Sequence, residues 1–132
     1  MFVFSYLYSI IKSAIVALLP YILIDEKKKH MLIKGESYHE QIVEYFVDVN
    51  KWLDENFADA CDGFVFDCEL SYFNSSTAKL LMDIMLRLDD CAAEGKNITI
   101  NWIASEGNDV IIECGEDFKE ELSNLTFNLV VR

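Results

Sequence analysis

Hydroxyl side chains cluster at one turn of this chain, in the run Tyr72-Phe73-Asn74-Ser75-Ser76-Thr77-Ala78-Lys79. An alternating strand pattern precedes the run and a helical pattern follows it, which predicts that Ser75, Ser76 and Thr77 lie at a helix N-terminus. Unpaired backbone N–H groups at such a terminus favour negative charge. A phosphate there would change the local surface by nearly two charges. The turn is therefore a candidate phosphorylation switch, and an Asn or Ser helix cap is the simpler interpretation.

Other groups that could do chemistry are sparse. His30 and His39 stand alone in the sequence, and the glycines form no phosphate-binding loop. Acidic pairs such as Asp89-Asp90 and Glu116-Asp117 lack the spacing of a calcium loop and are predicted to solubilise helix ends. We find no catalytic set, metal site or cofactor motif, and we expect a protein that is not an enzyme.

The four cysteines are scattered along the chain, at Cys61, Cys68, Cys91 and Cys114. None forms a CxxC pair or a metal-ligand spacing. Isolated cysteines of this kind are typical of buried thiols in a reducing compartment. The pattern predicts a cytoplasmic protein.

Charge is distributed unevenly. The formal net charge is −12, but residues 1–34 carry five Lys against two acidic side chains, whereas residues 35–132 carry six Lys or Arg against 21 acidic ones. A region that acidic repels phosphate backbones, which argues against nucleic-acid binding. A protein partner with a basic or polar face is easier to accommodate.

Residues 1–19 form a hydrophobic segment with one charged side chain, Lys12, ahead of Pro20. As a helix it would be about 28 Å long, which barely spans a bilayer. The Lys27-Lys28-Lys29 run beyond it would keep the following domain cytoplasmic. Three interpretations remain open: a membrane anchor, a helix packed on the domain or on another copy, and a wrongly assigned gene start.

The rest of the chain alternates between strand and helix patterns. Residues 21–25 and 30–34 predict a hairpin that Gly35 ends, and residues 37–57 predict an amphipathic helix. A strand at 64–72, with Tyr72 on the same side as Phe64, leads into a helix at 75–93 that Gly95 stops. A strand at 97–104, a short acidic helix beginning at Gly115 and an extended segment at 126–131 complete the series. We expect a single α/β domain over residues 20–132, a mixed sheet with helices packed on it.

Five sequence blocks, in order, resemble the SiaC family of small bacterial regulatory phosphoproteins, whose fold is like that of STAS-type anti-sigma-factor antagonists. The blocks are Leu32-Ile33-Lys34-Gly35-Glu36-Ser37-Tyr38, Lys51-Trp52-Leu53, the hydroxyl-rich turn from Tyr72 to Lys79, Asn101-Trp102, and Glu113-Cys114-Gly115-Glu116-Asp117-Phe118. The resemblance spans roughly residues 20–130 and implies a STAS-like domain. Residues 1–19 have no counterpart in it.

The resemblance implies that Ser75, the first hydroxyl residue after Asn74, is the phosphoacceptor. It further implies that a serine/threonine kinase phosphorylates the turn, that a PP2C-type phosphatase reverses this, and that the unphosphorylated form binds and activates a diguanylate cyclase in cyclic-di-GMP signalling and biofilm control. Ser76 and Thr77 are secondary candidates for modification. Asn74, Ser76 and Lys79 are predicted to contact the partner, and Lys79 could offset part of the phosphate charge. The alternative is a membrane-tethered scaffold domain in which the hydroxyl cluster is only a cap.

Overall fold

The computed structural model describes residues 19–37 and 42–132, without the side chains of residues 58–60. Apart from Leu19, the predicted N-terminal helix over residues 1–19 lies outside the described residues, and so does His39. None of the helices formed by the described residues combines the length and hydropathy that a membrane span requires.

Five strands form one mixed sheet in the order β1-β2-β3-β4-β5. The first two pair antiparallel as the predicted hairpin, and every later pair is parallel. The strands are β1 (Tyr21–Asp25), β2 (His30–Ser37), β3 (Phe64–Phe73), β4 (Ile98–Ala104) and β5 (Thr126–Val131). The predicted strands are confirmed, and the extended segment at 126–131 is an edge strand paired with β4.

Helices fill the connections between the parallel strands. Over the described residues they are α1 (Ile42–Tyr45) and α2 (Val47–Ala60) between β2 and β3, α3 (Ser75–Ala93) between β3 and β4, and α4 (Asp109–Glu121) between β4 and β5. Their buried side chains join one core with alternate strand residues such as Phe66 and Ile100. The helices therefore cover one face of the sheet, and the mixed α/β architecture expected from the sequence is confirmed.

Two predictions are wrong near a bulge at the end of β3: the end of β2 at Gly35 and the side of β3 on which Tyr72 lies. Gly35 does not end β2: it adopts φ 110°, a conformation that favours glycine, and the strand continues to Ser37. Gly35 pairs with Leu70 and Glu36 pairs with Tyr72, so Ser71 is an additional residue on β3. An extra residue inverts the alternation of the side chains that follow it. Tyr72 is consequently exposed, and the prediction that it shares the buried face of Phe64 is wrong.

The first helical segment also differs from prediction, since residues 37–57 do not form one helix. Ser37 belongs to β2, and its carbonyl oxygen accepts a hydrogen bond of 2.9 Å from the N–H of Asn74. The described helix begins at Ile42 and is divided at Phe46, whose side chain is fully buried. Hydrogen bonding to β3 therefore keeps Ser37 in the strand, although the apolar residues that follow it have the spacing of a helix.

The last helix begins earlier than predicted. Asn108 caps α4, its Oδ1 accepting a hydrogen bond from the N–H of Ile111 at 3.4 Å, so the helix begins at Asp109. Gly115 lies in the helix interior instead of opening it. A Cβ atom at this position would lie 2.6 Å from Trp102 Nε1. The glycine permits close packing of α4 on β4, a tertiary requirement that the sequence alone does not indicate.

Candidate functional site

The hydroxyl-rich turn lies at the carboxyl end of β3, where the chain enters α3. Asn74 is extended at φ −88° and ψ 176°, and α3 begins at the next residue, Ser75. The Oδ1 atom of Asn74 accepts hydrogen bonds from the backbone N–H of Thr77 at 2.9 Å and from the Thr77 hydroxyl at 2.8 Å. Asn74 is therefore the N-cap of the helix, which confirms the capping interpretation of this residue and leaves the serines beyond it unused by the cap.

Thr77 is turned into the protein and binds the end of β2. Its side chain and that of Ser37 are fully buried, and their hydroxyl oxygens are 2.7 Å apart. Each hydroxyl has one proton to donate. Because the Thr77 proton has its shorter contact with Asn74 Oδ1, at 2.8 Å against 3.3 Å to the Ser37 carbonyl oxygen, the Ser37 hydroxyl is the donor to Thr77. The chain of donors runs from Ser37 through Thr77 to Asn74.

This network separates the three hydroxyl candidates. Thr77 is inaccessible in this conformation and both functions of its hydroxyl are occupied, whereas Ser75 and Ser76 are exposed. Within the part of the chain that the structure describes, the backbone N–H groups of Ser75 and Ser76 have no hydrogen-bond partner. Two free donors at a helix N-terminus are the arrangement that binds phosphate groups.

Lys79 is the nearest cation along α3. It is exposed and lies four residues after Ser75, so the two side chains project from the same side of the helix. A phosphate on Ser75 would thus have backbone donors beneath it and an ammonium group one turn away. This geometry can hold a dianion without rearrangement of the turn.

Among the residues that the structure describes, the titratable groups away from this turn do not assemble into a catalytic set. His30 Nε2 lies 2.8 Å from Asp67 Oδ2, and the other carboxylate oxygen accepts a hydrogen bond from Asn101 at 2.8 Å. By strand alternation these side chains lie on the sheet face opposite the helices. Among the described residues, no group of three or more His, Cys, Asp or Glu could hold a metal ion.

The four cysteines form no disulfide, as predicted, but only Cys61 and Cys68 are buried, whereas Cys91 and Cys114 are partly exposed. Burial raises the pKa of the Cys68 thiol far above its ordinary value, and the charge of Asp67 adds to this effect. Burial, together with the neighbouring Cys61 thiol, raises the pKa of Cys91 to about 12. Protonated thiols are poor nucleophiles, so these cysteines have the properties of structural residues.

Asp89 has a role that the sequence did not indicate. Its carboxylate is 7 % exposed and accepts hydrogen bonds from the backbone N–H groups of Asn124, at 2.9 Å, and Leu125, at 3.1 Å. Burial alone would raise the pKa of this carboxyl, but the hydrogen bonds outweigh it and hold the pKa below its usual value. Asp89 therefore ties α3 to the turn before β5. The prediction that Asp89 only solubilises the end of a helix is wrong.

Comparison with known proteins gives consistent matches. The sequence profile of the SiaC family regulatory phosphoproteins matches residues 16–132. An uncharacterized protein of Pseudomonas aeruginosa strain UCBPP-PA14 is 30 % identical over 99 residues, which are 75 % of this chain and 79 % of that protein.

Solved structures agree with the sequence matches. The structure of SiaC of Pseudomonas aeruginosa superposes with a TM-score of 0.80 at 26 % identity, covering 89 % of this chain and 93 % of that one. A crystal structure of the diguanylate cyclase SiaD of the same species in complex with its activator SiaC matches with a TM-score of 0.82 at 27 % identity, covering 89 % of this chain and 95 % of the matched chain. The chain therefore belongs to the SiaC family of regulatory phosphoproteins.

Proposed function

We propose that this protein is a non-enzymatic partner switch controlled by phosphorylation of Ser75. The unphosphorylated form binds and activates a diguanylate cyclase, a serine/threonine kinase modifies Ser75, and a PP2C-type phosphatase restores the active form. The output is a change in cyclic-di-GMP signalling. The partner class is supported by the Pseudomonas aeruginosa relative, which is the activator of the cyclase SiaD.

The position of the Ser75 hydroxyl is the observation that carries this proposal. It is exposed on the first residue of α3, beside two backbone N–H groups that have no hydrogen-bond partner among the described residues. A kinase can reach it, and the resulting phosphate is stabilised by the helix N-terminus. Asn74, Ser76 and Lys79 surround it, and we propose that they form part of the partner surface.

Release of the partner follows from the cost of removing water from a phosphate. A protein seated over this turn would have to desolvate a dianion on a domain that is already acidic. The phosphate dianion is stable while water solvates it and is destabilised when a bound protein excludes that water. Phosphorylation therefore weakens the complex without a change of fold.

The acceptor residue can be identified by phosphorylation with the cognate kinase, followed by intact-mass measurement. We expect one phosphate on the wild type, none on Ser75→Ala, and one on the matched control Ser76→Ala, whose exposed hydroxyl lies on the next residue. A phosphate that persists in Ser75→Ala and disappears in Ser76→Ala would move the acceptor to Ser76. Unmodified wild type after exposure to the kinase would contradict the switch.

We assign the protein to the cytoplasm. The free cysteines are consistent with a reducing compartment, and the proposed partners act there. Fractionation of the full chain, compared with a variant that lacks residues 1–18, tests this assignment against membrane attachment. Recovery of both forms in the soluble fraction is expected, whereas recovery of only the full chain with membranes would favour an anchor.

A further inference from the structure

A groove of about 260 Å³ lies at the carboxyl end of β3, immediately before the proposed switch. The strand end supplies Tyr72 and Phe73, and the first turns of α4 supply Val110, Ile111 and Cys114. Because Ser75 is only two residues beyond Phe73, a molecule seated in the groove would lie beside the phosphoacceptor.

The groove is preformed. Asn108 joins its two sides, since its Nδ2 donates to the Ser71 carbonyl oxygen at 3.0 Å while its Oδ1 caps α4. The Phe73 ring is held from below by an edge-to-face contact with Trp102, at a centroid distance of 5.8 Å. Walls fixed in this way lose little conformational entropy when a ligand binds.

Apolar side chains are unusually exposed along its rim. Val110 is 70 % exposed, the largest value among the exposed large hydrophobic residues that the structure describes, and Tyr72 is 52 % exposed. Single exposed hydrophobic residues need no explanation, but two of them flanking an apolar cleft indicate an interaction site.

The volume favours a side chain of a protein over a small molecule. Sites for drug-sized ligands are usually about 300–1,000 Å³. This groove is smaller and has room for one bulky side chain, the kind of anchor that dominates binding energy at protein interfaces.

The charge around the groove restricts the partner further. Asp109 and Glu113 flank the lining residues of α4, and the exposed side chains of this helix include six acidic groups against one cation, Lys119. An apolar anchor flanked by Lys or Arg is complementary to such a rim, whereas an acidic segment would be repelled.

We propose that this groove receives a bulky apolar side chain from a basic, amphipathic segment of the protein partner. The inference rests on the proposed function, because it identifies the docking point of the partner that the Ser75 phosphate releases. The groove supplies affinity. When the apolar side chain of the partner is bound in the groove, the partner covers the adjacent turn. A phosphate on Ser75 must then be desolvated for this side chain to remain bound.

Two valines allow a matched test. Val110 is the second residue of α4, and Val47, 55 % exposed, is the first residue of α2. A glutamate in the first turn of a helix is electrostatically favourable, so Val110→Glu and Val47→Glu should both fold and add the same charge. The full-length variants are titrated by calorimetry with the cognate diguanylate cyclase, beside wild type with and without phosphate on Ser75.

We expect Val110→Glu to weaken binding by about tenfold or more and Val47→Glu by less than about twofold, with wild-type affinity falling as salt is added. Equal effects of the two variants, or none, overturn the groove assignment.

The outcomes also separate the two proposals. If the phosphate releases the cyclase while Val110→Glu binds normally, the groove proposal is wrong and the switch proposal holds. If Val110→Glu weakens binding while the phosphate does not, the switch fails and the groove stands. Absence of binding by unmodified wild type contradicts both, and a concentration-dependent dimer that only Val110→Glu abolishes would assign the groove to a second copy of the chain.

Discussion

The hydroxyl oxygens of Ser37 and Thr77 lie 2.7 Å apart in the core, where they join the end of β2 to the first turn of α3. Ser37 is the last residue of β2, and Thr77 follows Ser75, the proposed phosphoacceptor, by two residues. The pair therefore holds the hydroxyl-rich turn against the end of the sheet, while Ser75 remains on the surface. This arrangement explains why Thr77 is buried although the neighbouring Ser75 and Ser76 are exposed.

Substitution of Thr77 tests the contribution of the Ser37–Thr77 hydrogen bond to stability. Thr77→Val keeps the shape but removes both functions of the hydroxyl, so the buried Ser37 hydroxyl loses its acceptor. We expect a loss of about 1–3 kcal/mol in the free energy of unfolding, measured in urea. Thr77→Ser retains the hydroxyl and should cost about 1 kcal/mol for the missing methyl group. A Thr77→Val variant as stable as the wild type would contradict the proposed network.

Gly115 provides a test of close packing. In an exposed helix interior, Gly→Ala stabilises by about 1 kcal/mol. Here the added methyl group would meet Trp102, and overpacking typically costs about 1–3 kcal/mol. We expect Gly115→Ala to lower the free energy of unfolding, while Glu116→Ala, at an exposed neighbouring site, changes it by less than about 0.5 kcal/mol. A stabilised Gly115→Ala protein would show that α4 can move away from β4.

Asp89 predicts a pH dependence of stability. Its pKa is lowered in the folded state from an ordinary value of 3.8, so the stabilisation is complete above that value and is lost as the pH falls through the folded pKa. Asp89→Asn should cost about 1–2 kcal/mol at pH 7 and progressively less below about pH 4. Urea unfolding at several pH values measures this difference, with the exposed neighbour variant Asp90→Asn as the control. A constant deficit of Asp89→Asn down to pH 2 would exclude the charged carboxylate as its cause.

Local sequence signals were sufficient for much of the fold. Alternation placed β3 and β4, helical spacing placed α3, and the Asn-Ser-Ser-Thr run placed its first turn. Each of these features is decided by neighbours in the chain, through hydrogen-bond geometry and one buried face. The position of Ser75 at the N-terminus of α3 was predicted in the same way.

Features that depend on distant contacts were missed. Gly115 was predicted to begin a helix, because its packing on Trp102 cannot be read from neighbouring residues. Asp89 was predicted to be a surface residue, because the groups that donate hydrogen bonds to it are 35 and 36 positions away. The bulge at Ser71 arises from pairing with β2, so the alternation before it gave a wrong face for Tyr72. The burial of Thr77 depends on Ser37, which is 40 positions away.

The most direct test of the phosphorylation switch is a binding measurement. It compares the affinity of the cognate diguanylate cyclase for this protein with and without authentic phosphoserine at position 75. We predict binding about 30-fold weaker or more for the Ser75-phosphorylated form, equivalent to about 2 kcal/mol, because its phosphate must be desolvated beneath the partner. Equal affinities of the phosphorylated and unmodified forms would contradict the central claim.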